Sequence, residues 1–212
     1  MVIPCAALLL DVDGTLVDST PLIERAAREW AVGYGIDAEE FLSGAHGRRT
    51  ADRVADFLPP GRVRAATEHL EALEAAGTDG VTALPGALDL LASVDGLPCA
   101  FVTSMDAGQL AARARAAGIT PPATVVTAED VPRGKPDPSG YLLAAGRLGV
   151  DAARCVVIED APAGIAAGRA AGATVVAVAT SHPGGALTAA HHRVRDLTRV
   201  ALTPSGLALT TG

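Results

Sequence analysis

The chain has 212 residues, a formal net charge of -7 and 49% apolar residues, with aromatics at only 3%. That length suits one domain or a core with a modest insertion, and the acidic balance argues against a general binder of nucleic acid or of anionic membranes, which would carry a basic face. No basic segment followed by an apolar run opens the chain and no apolar run reaches membrane-spanning length, so a soluble, cytoplasmic protein is expected, a monomer or weak homodimer.

The first buried strand is expected at Ala7–Leu10, an apolar run without polar alternation, as in strands covered on both faces. Asp11 and Asp13 follow at its carboxyl end, the edge where ligands bind in open parallel sheets, and Gly14 permits a tight turn. From Val17 to Thr82 the pattern is helical, with helices at Pro21–Tyr34, Thr50–Phe57 and Arg62–Ala76 and turns at Gly33–Gly35, Pro59–Gly61 and Gly77–Gly80. No strand-like run interrupts it. The expected division is a core of residues 1–16 and 83–212 and an all-helical insertion of residues 17–82, with hinges near Val17–Pro21 and Val81–Pro85.

Beyond the insertion, strand-like runs at Ala100–Val102, Thr124–Thr127, Cys155–Ile158 and Thr174–Ala179 alternate with helices at Leu110–Ala117, Tyr141–Leu148 and Ala163–Ala171. Each of these helices is followed by a glycine (Gly118, Gly149, Gly172) suited to a C-cap. Strand, helix, glycine, strand is the rhythm of right-handed βαβ units. The fold class is therefore α/β, a doubly wound parallel sheet with a small all-helical unit inserted after the first strand. Arg193–Leu197 and Val200–Leu202 are expected to give a last edge strand, with the final ten residues loosely held.

Four segments load one edge of that sheet with chemistry. Asp11 and Asp13 form the first. Thr103 and Ser104 end the strand at Ala100–Val102 ahead of a helix, where hydroxyls and free N–H groups make a phosphate seat; N-capping by Ser104 or Asp106 is the plainer reading. Lys135 stands in Gly134-Lys135-Pro136-Asp137-Pro138, a turn stiffened by two prolines. It is the only lysine, against sixteen arginines, so the chain has put its one ammonium at this turn. Glu159 and Asp160 end a further strand. Adjacent carboxylates are costly unless a cation neutralises them, and a hard cation such as Mg²⁺ suits oxygen ligands; capping of the next helix by Asp160 is the plainer alternative. Together these groups are the inventory of phosphoryl transfer: nucleophile, proton donor, metal site and cationic clamp. Cys5, Cys99 and Cys155 read as small buried thiols, with no zinc-like spacing.

On these residues the chain resembles the phosphatases of the haloacid dehalogenase superfamily. Asp11-Val12-Asp13-Gly14-Thr15 is similar to the family's first motif, DxDGT, Thr103 or Ser104 to the second, Lys135 to the third and Glu159-Asp160 to the fourth. The helical insertion resembles the small cap of the subfamily that includes β-phosphoglucomutase and sugar phosphatases. His46-Gly47-Arg48-Arg49-Thr50, with Glu159 through Ile165, resembles 2-deoxyglucose-6-phosphate and glycerol phosphatases.

The resemblance implies a Mg²⁺-dependent phosphatase acting on a small phosphorylated metabolite, a sugar or polyol phosphate, through an aspartyl-phosphate on Asp11. It implies Asp13 as general acid and base, with Lys135 and Thr103 or Ser104 on the phosphoryl oxygens. It places Mg²⁺ on Asp11, the backbone carbonyl of Asp13, Asp160, and Glu159 directly or through water, and it makes His46, Gly47 and Arg49 substrate contacts. Neighbouring reactions differ by what is missing. The cap has no lysine for a phosphonatase Schiff base, and the second acid that dehalogenases lack is present as Asp13. Ile23 stands where a β-phosphoglucomutase-like mutase has its cap histidine. Hydrolysis is expected over that mutase, and over a non-enzymatic metabolite-binding protein, which would have lost Asp11, Asp13 or Lys135.

Overall fold

A computed structural model describes residues 1–43, 46–94 and 96–210. The chain opens with β1 (Val2–Ile3) and β2 (Ala7–Leu10). A short strand β3 (Val17–Asp18) leads into α1 (Thr20–Tyr34), α2 (Ala38–Ser43), α3 (Thr50–Ala55) and α4 (Pro60–Ala75), and β4 (Thr82–Ala83) returns antiparallel beside β3. There follow α5 (Ala87–Ser93), β5 (Cys99–Val102), α6 (Ala107–Ala116), β6 (Thr124–Val126), α7 (Ser139–Arg147), β7 (Cys155–Glu159), α8 (Pro162–Ala170), β8 (Thr174–Val178) and β9 (His192–Val194). A hairpin of β10 (Val200–Thr203) and β11 (Gly206–Leu209) ends the described chain.

The main sheet has the order β6-β5-β2-β7-β8-β9 and all its pairings are parallel. Alternate residues of β2 face opposite cores. Leu8 and Leu10 pack with Leu90 of α5 and Leu110 and Ala114 of α6, while Ala7 and Leu9 pack with Tyr141 and Ala144 of α7 and Ile165 and Ala167 of α8. Burial on both faces is why the strand runs lack polar alternation. Leu10 of the central strand β2 lies opposite Phe101 on one side and Ile158 on the other. The carboxyl ends of three adjacent strands therefore finish near one level.

Helices α1 to α4 form a cap with its own apolar cluster around Trp30, Phe41, Val54 and Leu70. The cap holds Trp30, Tyr34, Phe41 and Phe57, four of the six aromatic residues in the chain. Trp30 stacks on Tyr34 and lies tilted against Phe41, and its indole N–H donates to the Ala66 carbonyl at 2.8 Å. Flat, rigid rings supply buried area that the Ala-rich helices lack.

Several details differ from the sequence reading. The expected hinge segments contain strands, β3 and β4. Helices α2 and α5 were not expected; α2 is a six-residue segment anchored only by buried Phe41. The last edge strand of the main sheet is β9 alone, because Val200–Thr203 belongs to a separate sheet of order β1-β11-β10. Of the final ten residues, 211 and 212 lie outside the described residues, and the others are not loosely held: β11 is paired on both sides, and its alternate Leu207 and Leu209 are buried. Cys99 and Cys155 are buried and Cys5 half-buried, all three as free thiols. No described helix is long and apolar enough to cross a membrane.

Candidate active site

Asp11 extends β2 by one residue, its N–H donating to the Ile158 carbonyl at 3.1 Å. The chain then folds sharply, with the Val12 carbonyl accepting from the N–H groups of Thr15, Leu16 and Val17. Gly14 sits in this turn at φ +81°, and a Cβ there would strike Asp160 Oδ2 and Ser181 Oγ. The position needs glycine both for its backbone conformation and for the close approach of the β7 end. Asp160 follows β7 and is fully buried, with the Thr15 hydroxyl 3.4 Å from its Oδ1.

Lys135 reaches the same spot from the loop after β6. Its ammonium donates to Asp11 Oδ1 at 2.5 Å, to Glu159 Oε1 at 2.7 Å and to the Val102 carbonyl at 3.1 Å. All three of its donors are used. Burial alone would lower its pKa, but the charges of Asp11 and Glu159 outweigh that and raise it well above the ordinary value, so it is a permanent cation. Glu159 is equally engaged. Oε1 also accepts from the Tyr141 hydroxyl at 2.9 Å, and Oε2 accepts from the N–H groups of Asp160 and Ala161 at 3.0 and 3.1 Å. Gly164 in the first turn of α8 leaves room for this carboxylate; a Cβ there would overlap Glu159 Oε1. Gly164→Ala is therefore expected to displace Glu159 and cost about 1–3 kcal/mol of stability in urea denaturation. An unchanged midpoint would show that the carboxylate is not fixed there.

Asp11, Glu159 and Asp160 each offer an oxygen within 4.8 Å of the others. Asp11 Oδ2 and Asp160 Oδ2 are buried without a hydrogen-bond partner. Burial pushes the Asp11 carboxyl up to about 7, opposed by Lys135 and assisted by Glu159 and Asp13. Burial and the Asp11 and Glu159 charges hold Asp160 well above the carboxylate range. Acids crowded out of water in this way, with two oxygens unpaired, fit a hard divalent cation.

Of the plainer capping roles, that of Asp106 is met, while Ser104 does not cap α6 and Asp160 does not cap α8. Asp106 caps α6 in a reciprocal box with Gln109, and α8 is capped at Ala161 with no side-chain bond. Thr103 Oγ1 accepts from the Met105 N–H at 3.2 Å. The Ser104 hydroxyl donates to the Gly47 carbonyl in the cap at 3.0 Å.

Between cap and core lies a cavity of about 40 Å³ lined by Asp11, Asp13, Thr103 and Ser104 below and Ile23, His46, Gly47 and Arg53 above. Pockets for small molecules run to roughly 300–1,000 Å³, so this cavity is too small to hold one as it stands. His46 stands edge-on to His182 at 5.1 Å, and burial, then the neighbouring His182 and Arg53, lower its pKa. Arg49 does not line this cavity. Its guanidinium donates to the Val131 carbonyl at 2.6 Å and the Pro132 carbonyl at 3.4 Å, strapping the cap to the Lys135 loop. A larger open groove of about 860 Å³ lies at the amino ends of the strands, but Arg154 is the one charged side chain described along it.

Sequence reading missed Arg53, Glu74, Gln109 and Arg113, which complete the cavity wall. Arg113 pairs with Asp13 Oδ2 and, at 2.7 Å, with Glu74 Oε2. The available signal was a charge inside an apolar helical stripe: Arg113 falls between Leu110 and Ala114, and Glu74 follows Leu70 by four.

The haloacid dehalogenase-like hydrolase family model matches residues 5–172. The chain is 45% identical over 179 residues to hexitol phosphatase A of Escherichia coli, covering 82% of this chain and 83% of that one. It is 36% identical over 191 residues to glycerol-1-phosphate phosphohydrolase 2 of Saccharomyces cerevisiae, covering 82% and 75%. A solved hydrolase from Pseudomonas syringae superposes with a TM-score of 0.83 at 25% identity, covering 91% of this chain and 94% of that one.

Proposed function

The chain belongs to the haloacid dehalogenase-like hydrolases and is a phosphoric monoester hydrolase; from that premise we propose that it cleaves the phosphate ester of a small sugar or polyol through an aspartyl-phosphate on Asp11, with Mg²⁺ as cofactor. The observation that carries this reading is the meeting of Asp11, Lys135 and Asp160 on the floor of a capped cavity, with two carboxylate oxygens left free. The relatives named for hexitol and glycerol phosphates support the substrate class.

In the first half-reaction an Asp11 oxygen attacks phosphorus as the bond to the ester oxygen breaks, and the Asp13 carboxyl gives that oxygen its proton, so the free alcohol leaves. In the second, water attacks phosphorus and passes a proton to Asp13. The bond between phosphorus and Asp11 breaks, releasing inorganic phosphate and restoring both acids. Lys135 and the Thr103 or Ser104 hydroxyl hold the phosphoryl oxygens and spread their charge. Asp11, Asp160 and the Asp13 carbonyl would hold Mg²⁺, with Glu159 behind them, and the ion supplies the charge that lets an anionic nucleophile meet an anionic ester. His46 and Gly47 face the leaving group. Arg49 acts as a strap rather than a substrate contact in this reading. Ile23 on the cavity wall supports hydrolysis over mutase chemistry, which uses a histidine there.

The test is phosphate release across sugar, polyol and nucleotide monophosphates, with Mg²⁺ and after chelation. A hexitol or glycerol phosphate is expected to be the best substrate, with turnover lost on chelation and restored by Mg²⁺. A clear preference for a nucleotide would overturn the substrate class, and undiminished turnover without metal would overturn the cofactor. Thermal melting gives a second readout. The raised Asp11 pKa means that, without metal, the stability from its protonation is present in acid and lost as pH rises through about 7. Mg²⁺ should therefore raise Tm more near pH ~8 than near pH ~6, adding about 2.7 kcal/mol at a hundred times Kd.

A further inference from the structure

Arg113 lies on α6 under the cavity and is 2% exposed. One guanidinium nitrogen pairs with Asp13 Oδ2 in the core and the other with Glu74 Oε2 in cap helix α4 at 2.7 Å. Glu74 is 6% exposed. It accepts a second hydrogen bond from Gln109 Nε2 at 3.1 Å and faces Arg53 Nη1 at 3.8 Å. Of the two Asp13 oxygens, Oδ2 is therefore anchored, while Oδ1 is buried with no partner. A planar fork bonded at both prongs fixes the direction of each carboxylate it holds.

We propose that Arg113 is a positioning residue for the Asp13 carboxyl, and that Glu74 makes this positioning depend on a docked cap. The inference rests on the phosphatase reading above. Anchoring Oδ2 leaves Oδ1 as the atom that gives its proton to the ester oxygen and later takes one from water. The guanidinium charge also stabilises the carboxylate left once the proton has gone. When the cap lifts, Glu74 departs with α4, water reaches Arg113, and Asp13 loses its fixed orientation. Closing over a substrate thus expels water and sets the acid in a single movement.

Two esters separate this role from a structural one. An alkyl ester such as a hexitol phosphate needs a proton on its leaving oxygen, whereas p-nitrophenyl phosphate releases a stable phenolate without one. With the Mg²⁺-loaded protein under single-turnover conditions, which read the first half-reaction alone, Arg113→Met and Glu74→Gln are expected to lose about 100-fold in the rate of alcohol release from the alkyl ester and no more than about threefold in the rate of p-nitrophenolate release; the second half-reaction needs Asp13 as base after either ester and slows equally for both. Arg113→Lys should recover part of the loss. Equal losses in these two release rates, or an intact alkyl release rate in Glu74→Gln, would overturn the proposal. If circular dichroism shows Arg113→Met unfolded, the isosteric Glu74→Gln decides the matter. A wild-type protein that cleaves neither ester would instead refute the phosphatase reading itself.

Discussion

Asp11→Asn is expected to end phosphate release while leaving the protein folded. A carboxamide is not a nucleophile toward phosphorus, and removing a nucleophile typically costs about 10⁴-fold or more. The amide oxygen can still accept from the Lys135 ammonium, so the tripod of bonds to Asp11, Glu159 and Val102 keeps its geometry. Burial raises the pKa of Asp11 and Asp160, and the charges of neighbouring acids add to it, so the substitution also removes one buried acid from this cluster. Without metal the variant should melt at or above the wild-type temperature, with a weakened response to Mg²⁺. Phosphate assay and calorimetry read the two effects separately. Turnover close to wild type would sink the covalent mechanism.

Lys135→Met should be damaging in a different way. Methionine keeps the stem but leaves Asp11 and Glu159 facing each other in a site where Lys135 is now the buried cation pairing both. Breaking a buried pair by removing one partner costs about 3–5 kcal/mol, so a large drop in the urea midpoint is expected at neutral pH. The sign with pH follows from the carboxyls. Burial already raises Asp11 against the opposing ammonium, so without that ammonium its folded pKa rises further; stability should return as pH falls and Asp11 takes up its proton, and decline as pH rises. Activity should fall by about 10³-fold, as when a charge-stabilising donor is lost from a transition state. A variant with wild-type stability and activity would show that the lysine neither neutralises the acids nor serves the reaction.

The main sheet and the residues on its edge were legible because local chemistry marks them. Apolar runs without alternation announce doubly covered strands, and acids or hydroxyls directly after Leu10, Val102 and Ile158 stand out against them. The cap was legible as helix but not as contact. Nothing local distinguishes Arg49, which bonds carbonyls of the Lys135 loop, from Arg53, which turns to the cavity. Their directions depend on how α3 meets the core. Arg113 and Glu74 were harder to place for a related reason: each sits in an apolar stripe, but its partner depends on how α4 and α6 are set against one another. The pairing of β11 with β1 joins opposite ends of the chain, a separation that short-range pattern cannot report. Its Thr- and Gly-rich surroundings pointed instead to a loose tail.

The passages of chain between cap and core are β3 and β4, two residues each. Asp11, Lys135, Glu159 and Asp160 all stand on the core side of that isthmus. Selection can accordingly rework α1 to α4 toward a new ester while inheriting the reaction intact. Glu74 is the seam in this division of labour, the point at which a remodelled lid would be felt by the chemistry beneath it.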